Sequence, residues 1–490
     1  MDDLKIRALA GGLPLAEVGV TDSGGNFNKR FLSAKDHILG TGVDVDTAML
    51  DMGVDVNNAR EDIRDIQSVI GYSSSDIFGL EVDFQNRIYR RLAGAVGRTP
   101  GAGFNDINCF GGRRRCIVHD NGIILAYRGE PGYTETGALT QAVTVGGVTY
   151  PVGTFCQVMV YQPKFYYRVV PIALEAILNG RGFHLRRARY YISDTPREGF
   201  KLHPAFMKAG LEKEYVLIGA YEGCLQQAGV YNLTDEQTGN FAVGSGDRLA
   251  SIAGAKPVSG ATAANNLTRR NCGIAAENRG AGWSQIYAAI ASATQFLMMI
   301  EFGTFNTQNA LGRGVVDFPT GTGNESLNTG LTTNLGDSSG SATGTPGLVS
   351  VSYRGEENPW GNIWMFVDGM NIQASGIHEV FIADHNFVEE RTSGNYQNAG
   401  ITIARTNGFI SAFAYNEPFD WLFLPSETLG DSELPVGDHF WQNNTVAGFR
   451  IALLGAGWYV GSLAGGFCWH LNNAVSYRTR NIGGRLVYVP

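Results

Sequence analysis

A heptad pattern near the N-terminus is the feature that most restricts how this chain can fold. Apolar residues recur there at alternating spacings of four and three. They are Val45, Met49, Met52, Val56, Ala59, Ile63, Ile66 and Ile70. Such a seam is typical of a coiled coil, and isoleucine at both seam positions favours trimers over dimers. We therefore predict a trimeric coiled coil over 45–71, with Val56, Ile63, Ile66 and Ile70 in its seam. A single amphipathic surface helix is the alternative.

The pattern beyond this seam changes from helical to strand-like. Phe84, Ile88 and Leu92 recur at helical spacing before Gly94 and Gly97, which predicts a helical linker over 72–104. Alternating or short apolar runs bounded by turn residues then predict strands. They lie at 116–118, 122–127, 143–149 (a hairpin), 155–161 and 214–220.

Two later segments have contrasting compositions. Ile286, Ile290, Ala293, Leu297 and Ile300 follow spacings of four and three, so a helix is predicted there. The stretch 317–350 is rich in Gly, Ser, Thr and Asn and is predicted to be a long surface loop.

Composition argues against several classes of protein. A net charge of −8 and a pI near 5.6 give no electrostatic reason to bind nucleic acid. The six cysteines form no CxxC pair, so neither a metal site nor a disulfide framework is predicted. The N-terminus lacks the order of a secretory signal, and the most apolar stretch is too short for membrane insertion. We expect no cofactor, and synthesis and assembly in a reducing cytoplasm.

The glycines near the C-terminus resemble a dinucleotide-binding fingerprint only superficially. A short apolar strand at 450–454 precedes Gly455, Gly457 and Gly461. A dinucleotide site also needs a helix after the glycines and an acidic residue about 20 positions later. No Asp or Glu follows Asp438, and too little chain remains for a crossover. A dinucleotide site is therefore excluded.

Six short sequence segments, here called phrases, are similar to those of a known family. In chain order they are QPKFYYRV, ISDTPREGFKLHPAF, IGAYEG, ENRGAGWSQ, EENPWGNIWMFVDGMNI and NIGGRLVYVP. Together they resemble the C-type-lectin-fold family, which includes phage tail proteins, variable proteins of diversity-generating retroelements and formylglycine-generating enzymes. The most specific pieces are the WGNIW…DG segment and the terminal Gly-Arg-Leu.

The resemblance implies an α+β architecture. A C-type lectin-like head is expected over 105–490, with the 317–350 stretch as an insertion. The coiled-coil stem precedes this head, and 1–44 is expected to be a virion-attachment segment. The implied protein is a homotrimeric tail fibre of the phage virion that is not an enzyme. Its partners would be tail or baseplate proteins at the N-terminus and a host-cell surface protein or glycan at the head.

Two alternatives come from the same family. A formylglycine-generating oxidase would need paired cysteines near the chain end, where this sequence has only Cys468. A calcium-dependent carbohydrate lectin would need an acidic and asparagine motif, which EENPWGN matches only loosely. We therefore predict neither the oxidase activity nor calcium-dependent carbohydrate binding for this chain.

The closing segment is the predicted ligand-binding surface. In variable proteins the segment before the Gly-Arg-Leu strand is the diversified binding face, and such diversification is implied here. Tyr and Trp supply rigid contact area, while Ser, Gly and Asn supply adaptable hydrogen bonds, as in antibody paratopes. Trp458 and Leu471 are predicted to be core. The predicted ligand-binding residues are Tyr459, Val460, Ser462, Leu463, Cys468, Trp469, His470, Val475, Tyr477, Arg478 and Thr479, with Phe440, Trp441 and Asn443 as a second wall.

Overall fold

A computed structural model describes residues 72 and 74–490, apart from 228–229, 233–242, 261–266, 321–324 and 443–446. The predicted attachment segment, the coiled coil with its seam residues Val56, Ile63, Ile66 and Ile70, and the wall residue Asn443 lie outside the described residues. These predictions stay predictions.

Strands account for most of the regular structure. The first half of the chain contains β1 (Ile77–Asp83), β2 (Ile88–Ala93), β3 (Arg114–Val118), β4 (Ile124–Tyr127), β5 (Val143–Val145), β6 (Val148–Tyr150), β7 (Gln157–Pro163), β8 (Tyr166–Ala176), β9 (Phe183–Ser193), β10 (Lys201–Leu202), β11 (Met207–Lys208), β12 (Leu211–Glu212), β13 (Tyr215–Gly219), β14 (Cys224–Gln227), β15 (Val230–Asn232) and β16 (Arg248–Ala250). The second half contains β17 (Trp283–Gln285), β18 (Gly340–Ser341), β19 (Val351–Tyr353), β20 (Glu356–Glu357), β21 (Trp364–Ser375), β22 (Ile377–Ile382), β23 (Gln397–Thr402), β24 (Gly408–Phe409), β25 (Ala412–Tyr415), β26 (Pro425–Glu427), β27 (His439–Trp441), β28 (Gly448–Leu454), β29 (Trp469–His470), β30 (Ile482–Gly483) and β31 (Leu486–Tyr488).

Helices are few. The α-helices of the described residues are α1 (Asn108–Gly111), α2 (Arg269–Glu277), α3 (Ala288–Phe302) and α4 (Thr307–Leu311). Short 3-10 helices cover Gly101–Phe104, Pro204–Phe206, Val243–Ser245, Thr333–Leu335, Glu417–Phe419 and Gly461–Leu463. The predicted α+β class is thus confirmed in a coarser form, as a fold that is mostly β-sheet with few helices.

Three large sheets build the protein. The N-terminal sheet has the order β10-β8-β9-β1-β2, with β25 paired to β9 and β26 to β25. The middle sheet has the order β17-β31-β13-β7-β3-β4. The C-terminal sheet has the order β23-β22-β21-β28-β29-β27-β24, and β30 pairs with β21. The terminal strand β31 is thus held between β13 and β17, far from both in sequence.

Helix α3 packs between the N-terminal and C-terminal sheets. It contacts β1 and β9 on one side and β21 on the other, and its residues 288–301 are all buried. The helix predicted from Ile286 to Ile300 is therefore confirmed, and it is buried on all sides, including its polar residues Ser292, Thr294, Gln295 and Glu301. Burial all round is what a helix in the middle of a large core requires.

An aromatic cluster joins the parts of the core. The ring of Phe305 lies 4.8 Å from that of Phe467 and 5.7 Å from that of Phe84. The ring centre of Phe423 lies 5.3 Å from that of Phe467 and 4.9 Å from that of Phe296 in α3. The closing segment of the chain is therefore anchored by Phe467 in the main core.

The prediction of a helical linker over 72–104 is wrong. Residues 77–93 form the antiparallel hairpin of β1 and β2, which is continuous with the N-terminal sheet. Phe84 begins the turn and packs in the core, while β2 is a half-exposed edge strand. Asp83 accepts hydrogen bonds from the backbone and side-chain nitrogens of Asn86, and Arg87 has a φ of 58°. Local turn chemistry therefore overrides the helical spacing.

The predicted strands at 116–118, 122–127, 143–149, 155–161 and 214–220 are confirmed by β3, β4, the β5–β6 hairpin, β7 and β13. The described residues of 317–350 are mostly irregular, as predicted, apart from the 3-10 helix Thr333–Leu335 and β18, but they do not form a purely surface loop. Thr329 and Thr332 are buried. The Glu357 carboxylate accepts hydrogen bonds from the backbone of Gly330 and from both the backbone and the hydroxyl of Thr332. A polar segment can be buried where each polar group has such a partner.

Candidate functional site

The closing segment forms part of an open pocket in the C-terminal sheet. His470 of β29 pairs with Leu453 of β28 and with Trp441 of β27. Directly paired residues point to the same side of a sheet, so these three side chains share one face. Trp364 of β21 pairs with Ile482 of β30 and completes the base of the pocket.

The pocket contains about 490 Å³ of empty space, part of it continuous with solvent. The lining residues are Trp364, Trp441, Leu453, Tyr459, Val460, His470, Asn473, Tyr477, Thr479, Asn481 and Ile482.

Three aromatic rings meet at one corner of the pocket. The Trp364 and Trp441 rings are 5.5 Å apart with their planes at 81°. The His470 ring lies 5.4 Å from Trp364 and 5.7 Å from Trp441. His439 packs against the Trp441 ring at 4.1 Å. The contact between Trp364 and Trp441 is edge-to-face, and packing of this kind restricts the orientation of both rings.

Two asparagines form hydrogen bonds with polar side chains of the pocket. The Asn481 amide nitrogen donates a hydrogen bond of 3.0 Å to the Tyr459 phenol oxygen. The Asn473 amide nitrogen lies 3.0 Å from Nδ1 of His470. Because the amide donates to that nitrogen, the imidazole proton is on Nε2.

Three titratable side chains in or beside the pocket, His470, His439 and Tyr477, are neutral near pH 7. Burial, with a smaller contribution from His439, lowers the pKa of His470 to about 4. Burial also lowers the pKa of His439 to about 4 and raises the pKa of the Tyr477 phenol. Both imidazoles are therefore uncharged, and the phenol keeps its proton.

The predicted binding residues divide into groups. Tyr459, Val460, His470, Tyr477, Thr479 and Trp441 line the pocket. Tyr459 and Tyr477 are 45% and 42% exposed, which leaves aromatic surface at the mouth. Ser462 is exposed, while Leu463, Val475 and Arg478 are half-buried, and these four lie outside the pocket lining.

Three predicted residues lie in the interior, and their assignment to an exposed face is wrong. They are Cys468, Trp469 and Phe440. The Trp469 indole N–H donates a hydrogen bond of 3.0 Å to the backbone oxygen of Phe423. Side chains alternate between the two faces of a strand, so Trp469 and Phe440 face the core while His470 and Trp441 face the pocket. The prediction that Trp458 and Leu471 are core is confirmed.

Several lining residues were not predicted from the sequence. They are Trp364, Leu453, Asn473, Asn481 and Ile482. Trp364 lies in the WGNIW phrase, and Asn481 and Ile482 begin the NIGGRL phrase. The phrases that resemble the family therefore pointed to Trp364, Asn481 and Ile482. Their position in the pocket, however, depends on strand pairing, which the phrases do not contain.

A buried polar corner fixes the chain just before Trp364. The Glu222 carboxylate accepts hydrogen bonds from the Asn362 amide (2.6 Å) and from the backbone N–H of Ile363 (3.2 Å). Burial raises the pKa of Glu222 to about 7, although the nearby Arg485 lowers it. These bonds set where β21 begins and hence where the Trp364 ring lies.

Arg485, from the terminal Gly-Arg-Leu, ties this corner to the middle sheet. Its guanidinium is buried and donates hydrogen bonds to the backbone oxygens of Gly219 (2.8 Å), Glu357 (2.6 Å) and Asn358 (2.9 Å). Arginine suits this role because its fixed fork of donors can satisfy several acceptors at once.

Metal-ligating side chains do not cluster in the part of the chain that the structure describes. No group of three or more His, Cys, Asp or Glu side chains there is placed to hold a metal ion. Within the same residues, no helix combines the length and apolar character needed to cross a membrane.

Comparisons with solved structures find several variants of Major Tropism Determinant among the similar proteins. The U1 variant of Major Tropism Determinant is 14% identical, with 77% of this chain and 72% of that chain covered and a TM-score of 0.24. The P3c variant is 13% identical, with the same coverage and a TM-score of 0.27. The I1 variant is 14% identical, with 83% and 93% covered and a TM-score of 0.25. The similarity is distant in both sequence and structure. No protein-family model and no curated protein sequence matches this chain.

Proposed function

We propose that this chain is a phage tail receptor-binding protein whose C-type lectin-like head recognises a ligand on the bacterial surface. The pocket in the C-terminal sheet, here called the aromatic pocket, is the binding site. The protein acts as an adhesin rather than as an enzyme, and its place is the tail of the virion.

The observation that carries this proposal is the position of the closing segment at the pocket. Its exposed tyrosines, Tyr459 and Tyr477, lie at the mouth of a pre-formed pocket that also holds His470. Rigid aromatic side chains at a concave surface are the usual anchors of binding sites, because they bury much area at little entropic cost. The ordered phrases that resemble C-type-lectin-fold phage tail proteins support the same assignment.

The double variant Tyr459→Ala, Tyr477→Ala tests the site. Two lost anchors are expected to weaken binding to bacterial cells by about 2–4 kcal/mol, which is roughly 30- to 1,000-fold in affinity. Because both side chains are almost half exposed, the melting temperature should fall much less than after a core substitution. Fluorescently labelled protein titrated onto a panel of bacterial strains measures the affinity.

The control variant is Phe183→Ala, which removes an aromatic ring of similar exposure, 41%, from β9 of the N-terminal sheet. It should bind cells like the unaltered protein. Equal binding by the tyrosine variant and the control would contradict the proposal that the pocket is the receptor site.

The heptad seam extends the proposal to a trimer, in which three-fold avidity strengthens weak single-site binding. Light scattering of the full chain should give three times the chain mass of 52.8 kDa. The variant Ile63→Asp, Ile66→Asp should give a monomer, because each charge would be buried in the seam. Asn58→Asp, between two seam positions, is the matched control and should remain trimeric. A monomeric full chain at micromolar concentration would refute the trimer.

Diversification of the closing segment is a further part of the proposal. It predicts a near-copy of the final coding segment downstream, differing at adenines and lying beside a reverse transcriptase gene. Without that repeat, the protein would have a fixed binding specificity.

A further inference from the structure

The chemistry of the aromatic pocket narrows the ligand class, and this inference rests on the proposed function. The pocket combines aromatic surface with neutral hydrogen-bonding groups. Trp364 and Trp441 meet nearly at right angles at its base, and Tyr459 and Tyr477 extend the aromatic surface to its mouth. The face of an aromatic ring carries partial negative charge. Such faces attract the partly positive C–H groups on the flat side of a pyranose ring.

The polar groups of the pocket suit hydroxyls that both donate and accept. The Tyr459 oxygen accepts from Asn481, so its phenol proton is left to donate to a ligand. The Asn473 amide nitrogen donates to His470, so the Asn473 carbonyl oxygen is left to accept and Nε2–H of His470 to donate. Thr479 adds a hydroxyl to the lining. The pocket thus offers both donors and acceptors beside its aromatic surface.

Charge excludes other ligand classes. Among the residues that the structure describes, those that line the pocket include no Asp, Glu, Lys or Arg, and His470 is neutral because burial lowers its pKa to about 4. An anionic sugar or phosphate would lose its water without gaining a counter-charge. A quaternary ammonium group would pack on the aromatic faces but would leave the amide and hydroxyl groups without partners. A calcium ion would find no carboxylate on the lining side chains that the structure describes.

We propose that the aromatic pocket holds a neutral pyranose ring of a bacterial surface glycan, without a bound metal ion. The sugar ring packs against the aromatic surface of the pocket, and its hydroxyls bond to Asn473, Tyr459 and His470. The concave shape suits a sugar ring better than the flat face of a protein partner.

Tryptophan fluorescence of the full chain tests this assignment, because two indoles line the pocket. The probes are the neutral methyl glycosides of glucose, galactose, mannose, rhamnose and N-acetylglucosamine, together with glucuronic acid and choline. We expect saturable binding of at least one neutral glycoside. The binding should be unchanged by EDTA, and the His470 imidazole should add no pH dependence between pH 8 and pH 5.5, because its pKa lies near 4.

Asn473→Ala should weaken the binding of that glycoside at least tenfold by removing a ligand acceptor and the partner of His470. Asn472→Ala, the neighbouring asparagine outside the pocket lining, is the matched control and should bind like the unaltered protein. The melting temperatures of the two variants should agree, which separates loss of contact from loss of fold.

Three results would overturn the inference: binding of choline or glucuronic acid alone, loss of glycoside binding in EDTA, or no response to any neutral glycoside. The proposed function is judged separately, by the cell binding of the Tyr459 and Tyr477 variant. If that variant loses cell binding while the glycosides are silent, the pocket is the receptor site and its ligand is of another class.

Discussion

Replacing Arg485 with alanine is expected to lower the free energy of unfolding by about 3–5 kcal/mol, as for other buried charges that lose their partner network. The guanidinium is fully buried and satisfies the backbone oxygens of Gly219, Glu357 and Asn358. Its removal leaves those oxygens without a donor and withdraws a positive charge from the buried carboxylates of Glu222 and Glu356. Each unsatisfied buried polar group adds to the cost.

Urea unfolding followed by tryptophan fluorescence measures this loss as a shift in midpoint. Arg485→Lys keeps the charge but has no planar fork, so it should recover only part of the stability. Arg405→Ala removes the same residue type from an exposed position and should change the midpoint little. An Arg485→Ala midpoint equal to that of Arg405→Ala would show that the terminal Gly-Arg-Leu does not anchor the fold.

Replacing Trp364 with alanine is expected to affect both stability and binding. The side chain is only 6% exposed and packs against Trp441 and His470, so its loss should cost about 3–5 kcal/mol. The pocket also loses its base, and binding to bacterial cells should fall by about 2 kcal/mol or more, roughly 30-fold. Thermal unfolding and cell titration measure the two effects.

Trp360→Ala separates the two effects of the Trp364 variant. Trp360 is equally buried in the core but lies outside the aromatic pocket, and its indole N–H donates to the backbone oxygen of Arg313. We expect a comparable loss of stability with cell binding retained at temperatures where the variant is folded. Equal loss of binding in both variants would mean that binding follows general stability rather than the pocket.

The kinds of local structure could largely be predicted from the sequence. The strands at 116–118 and 214–220 and the apolar helix near Ile290 were recognisable because their patterns are local. The linker over 72–104 was not, since Phe84, Ile88 and Leu92 have helical spacing while lying in a turn and an edge strand. The turn residues Asp83 and Asn86 were the signal that favours the hairpin.

The sequence by itself determined that the closing segment carries exposed aromatic residues among small polar ones, and that Trp458 and Leu471 belong to the core. Only the tertiary structure decided which neighbours face the ligand. Trp469 points inward and His470 into the pocket, because the register of β29 against β27 and β28 assigns each residue to one face. The tertiary structure also places Trp364 in the pocket, although this residue precedes the closing segment by nearly a hundred positions. A strand register depends on its partners, so no local pattern contains it.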